Sequence, residues 1–167
     1  MTVFSTFHRL SQIFKTSMEI PFDSSSRIVL FSDCHKGDGS WVDDFSHNRN
    51  LYYCALKYYY EYGFTYIDLG DSEELWKNRS FSEICDIYGD ISRLLHKFYA
   101  EKRFYMIYGN HDIVKKYPCF VEENLGKYYD SRTDRYESLF EGIEVHEGLI
   151  LKDTETQRKI FLVHGHQ

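Results

Sequence analysis

Short apolar runs alternate with longer amphipathic stretches along most of the chain. Runs at residues 27–31, 64–69 and 104–108 have the length and the aliphatic or aromatic content of strands, and we expect the first to be a buried strand. Between them, residues 44–62 and 80–102 place apolar side chains at three- and four-residue steps, which predicts two helices. Alternating strands and helices are typical of parallel βαβ units. We therefore expect a mixed fold of helices and strands, α/β in the broad sense, and assign it to the α+β type within that class.

The N-terminal region has a pattern of its own. We expect an amphipathic segment over residues 1–20, helical near residues 3–13, that packs on the domain surface, with membrane or partner binding as the alternative. Residues 21–26 read as a linker, which starts the main domain at residue 27 and extends it over 27–167. The apolar positions of the expected helix are Phe4, Phe7, Leu10 and Phe14.

The last fifty residues lose the helical period. Residues 115–140 have no clean repeat and are interpreted as a cap or loop region that contains short helices. Apolar runs at 143–152 and 159–163 flank a polar turn, which predicts a β-hairpin that closes the sequence.

Charge and composition narrow the classes of partner. The chain has 20 Lys and Arg against 26 Asp and Glu, a net charge of −6 without a basic tract, so no nucleic-acid partner is expected. No apolar segment has the length of a membrane span or a secretory signal. The 4 cysteines form no C-x-x-C pair, so we expect buried thiols in a reduced, cytoplasmic setting.

Each predicted strand runs directly into side chains that can bind metal ions. Ligands of open α/β sheets bind beyond the carboxyl ends of the strands, so these side chains are expected to converge. Each motif alone has an ordinary explanation, such as a loop or a helix cap, but the ordered set favours a metal site. In chain order the side chains are Asp33 and His35, Asp71, Asn110 and His111, and His164.

Several neighbouring residues keep two interpretations. Asp33 and His35 are two residues apart, so an extended backbone would point both side chains the same way. Asp112 fits a hydrogen bond to His111 or a helix cap equally well. His166 is ambiguous between a site residue and a turn residue. Carboxylates of the loop and helix start are expected at Asp38, Asp43 and Asp44, and surface charges, rather than phosphate contacts, at Lys36, Arg49 and Arg79.

The motifs together resemble a known family. Asp33-x-His35, Gly70-Asp71, Gly109-Asn110-His111-Asp112 and His164-Gly165 are similar to the successive motifs of the calcineurin-like metallophosphoesterase superfamily. The residues around the first two motifs resemble its bacterial branch that includes the UDP-2,3-diacylglucosamine hydrolases. The resemblance covers about residues 27–167 and implies a metallophosphoesterase β-sandwich flanked by helices.

The same resemblance implies a chemistry. It implies metal-dependent hydrolysis of a phosphate monoester or diester, in a phosphorylated small molecule or other phosphoester, by a hydroxide that bridges two divalent metal ions. His111 would give a proton to the leaving group. Mixed imidazole, carboxylate and amide ligands suit Mn, Fe or Zn. The implied ligands are Asp33 and His35 on the first ion, Asp71 on both, and Asn110 and His164 on the second.

One departure from the family changes the expectation for the C-terminus. The family closes with a later Gly-His-x-His, which the sequence lacks after His164-Gly165, so we expect a fold and a metal site with their C-terminal part missing. The uncovered sheet would then favour self-association. Two alternatives stay open: residues 164–166 are themselves the closing motif, or the chain is a non-catalytic metal- or phosphate-binding module that lost activity through truncation. A dinucleotide site is disfavoured, because no G-x-G-x-x-G follows the first strand.

Overall fold

Two β-sheets and a layer of helices form the fold of a computed structural model that describes residues 3–78 and 80–167. Short 3-10 helices lie at Asp44–Asn48 and Ile113–Lys116. The α-helices are α1 (Val3–Thr16), α2 (Arg49–Glu61), α3 (Phe81–Ile87), α4 (Gly89–Ala100) and α5 (Pro118–Asn124). The strands are β1 (Met18–Phe22), β2 (Ile28–Phe31), β3 (Thr65–Asp68), β4 (Phe104–Ile107), β5 (Lys127–Asp130), β6 (Arg135–Ser138), β7 (Val145–His146), β8 (Gly148–Asp153) and β9 (Lys159–Val163).

The central sheet has the order β2-β3-β4-β7, and its neighbouring strands are all parallel. This confirms the parallel βαβ units predicted from the alternating pattern. Tyr66 and Met106 point from β3 and β4 into a core shared with α2, α3 and α4, where Leu56, Ile91 and Phe98 are fully buried. The apolar stripes of the helices thus cover one face of the sheet.

The other face of the central sheet packs on a second sheet with the order β1-β8-β9. Ile67 and Ile107 of the central sheet meet Leu149, Leu151 and Leu162 of the second sheet in one buried cluster. The mixed α/β architecture with a β-sandwich flanked by helices is confirmed. Strands β8 and β9 form the antiparallel hairpin that the sequence predicts. Among residues 3–78 and 80–167, no helix is long and apolar enough to cross a membrane.

The predicted linker is wrong at its start. Pro21 and Phe22 belong to β1, which pairs in parallel with β8 at the edge of the second sheet. An edge strand tolerates proline because one side of the strand has no ladder to complete. The predicted stripe of α1 holds only in part: Phe7 is 73% exposed, whereas Phe14 packs edge-on against Phe161 with ring centroids 5.3 Å apart. Among the described side chains of this helix, the buried one is Ile13. The side chain of Phe4 lies outside the described part of the chain.

Three other parts of the fold differ from the sequence prediction: the second helix, the region 115–140 and the first strand of the central sheet. The helix expected over 80–102 is two helices that meet at Tyr88, and Ser80 caps the first by accepting a hydrogen bond from the Glu83 N–H. The region 115–140 contains a short helix, as predicted, and also a β5–β6 hairpin. Leu30 is 43% exposed because β2 is an edge strand, so this strand is only partly buried.

The cysteines also depart in part from the expectation. Cys85 is buried, and burial raises the pKa of its thiol to about 12. Cys34 is half-buried, whereas Cys54 and Cys119 are exposed on α2 and α5, so the expectation of buried thiols is wrong for these two. All 4 thiols are free.

Candidate metal centre

The loops that follow β2 and β3 lie side by side beyond the end of the central sheet. The Asp33 N–H donates to the Gly70 carbonyl at 3.1 Å, and the His35 N–H donates to the Asp71 carbonyl at 2.8 Å. These bonds continue the pairing of the two parallel strands past their ends. Backbone hydrogen bonds therefore keep two of the predicted motifs in register.

Two glycines let the loops after β3 and β4 touch. A Cβ on Gly70 would lie 2.5 Å from the backbone nitrogen of Gly109, and Gly70 has a φ of +97°. A Cβ on Gly109 would lie 2.1 Å from Oδ1 of Asp71. Any larger residue at either position would push the loops apart, so the glycines of both motifs serve close backbone approach.

Three candidate ligands have a left-handed backbone. Asp33, His35 and Asp71 have φ values of 54°, 50° and 55°. Non-glycine residues in this region carry a conformational cost and cluster at functional sites. The expectation that Asp33 and His35 share a direction because their backbone is extended is thus wrong, although their side chains do meet.

The side chains of the first two loops and the last strand converge on Asp71, which is almost fully buried. His35 Nε2 lies 3.7 Å from Asp33 Oδ1 and 3.8 Å from Asp71 Oδ2. His164 Nε2 lies 3.2 Å from the same Asp71 Oδ2. The structure therefore brings together four of the five residues predicted as metal ligands, around one shared carboxylate.

The orientation of His164 fits a metal ligand. Its Nδ1 lies 2.9 Å from the carbonyl oxygen of Leu69, which can only accept a hydrogen bond, so Nδ1 carries the proton. Nε2 then faces a carboxylate oxygen of Asp71 at 3.2 Å, a separation that either a ring proton or a bound cation would bridge. A carbonyl that fixes the tautomer of a histidine is the usual arrangement around a bound metal.

The donor set has the composition that a divalent ion needs. Ligand atoms of Asp33, His35 and Asp71 lie within 4.8 Å of one another, and those of a second group, His35, Glu74 and His111, do as well. Carboxylate oxygens and imidazole nitrogens suit Mn, Fe and Zn. The fifth predicted ligand, Asn110, lies half-buried in the loop after β4, next to His111.

Glu74 holds His111 in place and escaped the sequence analysis. Its two carboxylate oxygens lie 3.0 and 2.9 Å from His111 Nδ1, and the ring of Trp76 stacks on His111 with a centroid distance of 3.9 Å. Burial opposes the charge of Glu74, but the His111 hydrogen bond and Lys77 keep its pKa below the usual value. An acid three residues after Asp71 is the signal that sequence analysis could have used.

Asp112 has neither of its two expected roles. It is fully buried, accepts a hydrogen bond from the Gly109 N–H at 2.6 Å and pairs with Lys115 Nζ at 2.7 Å. The Ser72 N–H also donates to it at 3.3 Å. The hydrogen bonds of Asp112 therefore join the loops after β3 and β4. The hydrogen bond to His111 that was expected of Asp112 is made by Glu74 instead.

A network of buried ion pairs connects the loops after β2, β3 and β4. Lys36, expected on the surface, is buried and lies 3.1 Å from Glu73, which also binds the fully buried Lys115. The two lysines hold the pKa of Glu73 at about 2 against the opposing effect of its burial. Asp68 lies nearby, and burial raises its pKa to about 6.

The remaining charged residues follow the expectation more closely. Asp43 caps the 3-10 helix at Asp44–Asn48 by accepting from the Phe45 N–H, which confirms a carboxylate at the helix start. Arg49 pairs with Asp90 at 2.8 Å. Arg79 lies outside the described residues.

His166 lies close to the candidate centre without a settled role. The centroids of its ring and the His164 ring are 5.5 Å apart, and burial lowers the pKa of His166. Whether it acts in the site stays an open prediction.

Comparison with known proteins agrees with this geometry. A family model for calcineurin-like phosphoesterases matches residues 26–167, which include every motif described above. The comparisons with curated proteins and with solved structures gave no match. The matched family carries out metal-dependent hydrolysis of phosphoesters and generally uses divalent metals. Since the match spans most of the sequence, the chain belongs to the calcineurin-like phosphoesterase family.

Proposed function

We propose that this chain hydrolyses a phosphate monoester or diester at a site for two divalent metal ions. The observation that carries the proposal is the convergence of Asp33, His35 and His164 on Asp71, where Nε2 of His164 lies 3.2 Å from a carboxylate oxygen. A pair of such ions activates a shared water and stabilises the charge that develops on the phosphoryl oxygens. Asp33 and His35 would hold one ion, Asn110 and His164 the other, and Asp71 would bridge them.

The chain's own residues supply the proton for the leaving group. Glu74 engages Nδ1 of His111 and so leaves Nε2 of the ring as the atom that carries and gives up a proton. His111 is 22% exposed and lines a cavity together with Asp33 and His35. A substrate in that cavity would therefore contact both the proton donor and the metal-binding residues. A positioned general acid of this kind typically contributes about 10²- to 10⁴-fold to a rate.

The direct test combines metal content with turnover. Protein treated with a chelator and reloaded with Mn, Fe or Zn is assayed on p-nitrophenyl phosphate and on bis(p-nitrophenyl) phosphate. We expect Asp71→Asn to lower metal content and to abolish hydrolysis, because it removes the shared carboxylate. His111→Asn is expected to lower kcat by about 10²-fold or more on an alkyl phosphate, whose alkoxide must be protonated, and much less on the p-nitrophenyl esters, with its metal content unchanged.

Matched controls are available on the surface. Asp23→Asn and His8→Asn remove the same groups at exposed positions and should leave both readouts unchanged. Full turnover of any ester by Asp71→Asn, or of an alkyl phosphate by His111→Asn, would contradict the assigned roles. Stoichiometric metal binding without hydrolysis of either ester would support the non-catalytic module instead. The resemblance to the UDP-2,3-diacylglucosamine hydrolases concerns the branch within the family and stays a prediction.

A further inference from the structure

A cavity of about 740 Å³ opens directly beside the candidate metal centre. Asp33, His35 and His111, the groups assigned above to metal binding and proton transfer, line it. The loop after β2 and the first turns of α2 supply most of the remaining wall. A phosphoester whose phosphate binds beside those three residues would place its organic group along this wall.

Part of the wall is apolar. Phe31 at the end of β2, Val42 in the following loop, and Leu51 and Ala55 on α2 all line the cavity. Leu51 and Ala55 are one helical turn apart, so they lie on the same face of α2. These side chains give the cavity an apolar share of its lining, beside polar residues of the same segments such as Asp44 and Asn48.

Two of these side chains have no structural reason to be apolar. The stripe pattern of α2 places Leu51 with the core residues, yet Leu51 is 73% exposed, and Val42 is 50% exposed. Exposed aliphatic side chains that share one concave surface indicate a binding site rather than a packing role. Tyr58, farther along α2, is also exposed but does not line this cavity.

The charges at the rim select against anionic organic groups. Carboxylates outnumber ammonium groups there: the exposed Asp38 and Asp44 line the cavity together with one exposed lysine, Lys77. A carboxylate or a second phosphate on the organic group would approach both carboxylates and be repelled. An uncharged group meets no such penalty.

We infer that the substrate of this site carries an uncharged hydrocarbon group, alkyl or aryl, which packs on Leu51 and Val42. The inference rests on the proposed phosphoesterase function and names the class of its substrate. Leu51 and Val42 determine specificity through the organic group, and neither touches the reacting phosphate. Because they are exposed, their replacement by polar residues leaves the buried core intact.

Phosphonates test the inference through binding alone, because each carries a single organic group and cannot be hydrolysed. The affinities of methyl-, hexyl-, phenyl- and 2-carboxyethylphosphonate are measured by calorimetry on the Mn-loaded protein. Each fully buried methylene is worth about fourfold in affinity, so an open cavity should still bind hexylphosphonate about tenfold more tightly than methylphosphonate. The order of the hexyl and phenyl compounds tells an alkyl from an aryl substrate.

The variants decide which residues are responsible. Leu51→Asn and Val42→Asn should reduce the preference for hexylphosphonate to within about threefold, by removing apolar contact area, and should leave the affinity for methylphosphonate unchanged. Tyr58→Asn, on the same helix outside the cavity, should keep the full preference. Equal binding of the methyl and hexyl compounds, or tightest binding of the carboxyethyl compound, would overturn the inference.

Failure of this inference differs from failure of the proposed function. Hydrolysis of p-nitrophenyl phosphate without a preference for hydrocarbon phosphonates would overturn the inference alone. Absence of both hydrolysis and methylphosphonate binding would overturn the proposed function, and the inference with it.

Discussion

At the scale of single residues, the candidate centre depends on which nitrogen of each histidine is engaged elsewhere. A carbonyl holds Nδ1 of His164, and a carboxylate holds Nδ1 of His111. In both rings Nε2 is the nitrogen left for the role proposed above, metal binding for His164 and proton transfer for His111. Such partners act through the histidine and not on the substrate, so Glu74 is a positioning residue.

Glu74→Gln tests that role through the leaving group. The amide loses the charge that stabilises a protonated His111, so proton donation should weaken while the metal ligands stay in place. We expect kcat to fall about 10- to 100-fold for alkyl phosphates, whose alkoxide must be protonated, and much less for p-nitrophenyl phosphate, whose phenolate leaves unaided. KM should change little for either ester.

Glu123→Gln provides the control for this prediction. Its carboxylate is exposed on α5 and does not line the cavity, so its replacement should change neither rate by more than about threefold. An equal loss on both esters for Glu74→Gln would indicate a structural role and contradict proton positioning.

At the scale of elements, buried charges join the loops that carry the site. Lys115, in the 3-10 helix after β4, binds Asp112 of its own loop and Glu73 of the loop after β3. Glu73 in turn pairs with Lys36 of the loop after β2. Each buried charge is paired, so the network is tolerated in the interior, and it holds three loops in one arrangement.

Lys115→Met should destabilise the fold strongly. Methionine fills a similar volume but leaves Asp112 without its ammonium partner and Glu73 with only Lys36, both buried. Breaking a buried pair from one side costs about 3–5 kcal/mol, which should appear as a lower midpoint in urea unfolding. Lys116→Met, at the exposed neighbouring residue, should change the free energy of unfolding by less than about 0.5 kcal/mol. Equal midpoints for the two variants would show that the network contributes nothing.

The elements also show what the sequence could predict. Period and motif order predicted the parallel strands and the convergence of Asp33, His35 and Asp71, because a parallel sheet brings its carboxyl ends together. His164 was expected with them, although it follows β9 of the second sheet. Contacts between residues far apart in the chain could not be predicted from the sequence. The contacts of Glu74 with His111 cross 37 positions, and the left-handed backbone of Asp33 arises only when the loops dock. Strand β1 was missed because proline reads locally as a turn.

At the scale of the whole molecule, the residues before the family match belong to the fold. The match begins at residue 26, yet β1 at Met18–Phe22 extends the second sheet, and Ile13 of α1 packs near Gly148 and Phe161. The domain boundary predicted at residue 27 would remove one strand of the sandwich. Because β8 and β9 form the rest of that sheet and His164 follows β9, the stability of this edge bears on the candidate centre.

Replacement of Ile20 by alanine measures that contribution. Ile20 is 6% exposed and lies between the sheets with Ile67 and Leu149, so the cavity left by Ile20→Ala should cost about 2–4 kcal/mol in urea unfolding. Met18→Ala, in the same strand but 37% exposed, should cost less than about 1 kcal/mol. If both variants unfold at the wild-type midpoint, β1 is a peripheral addition and residues 27–167 are the stable unit. A selective loss in Ile20→Ala makes the N-terminal strand part of the core that supports the loops.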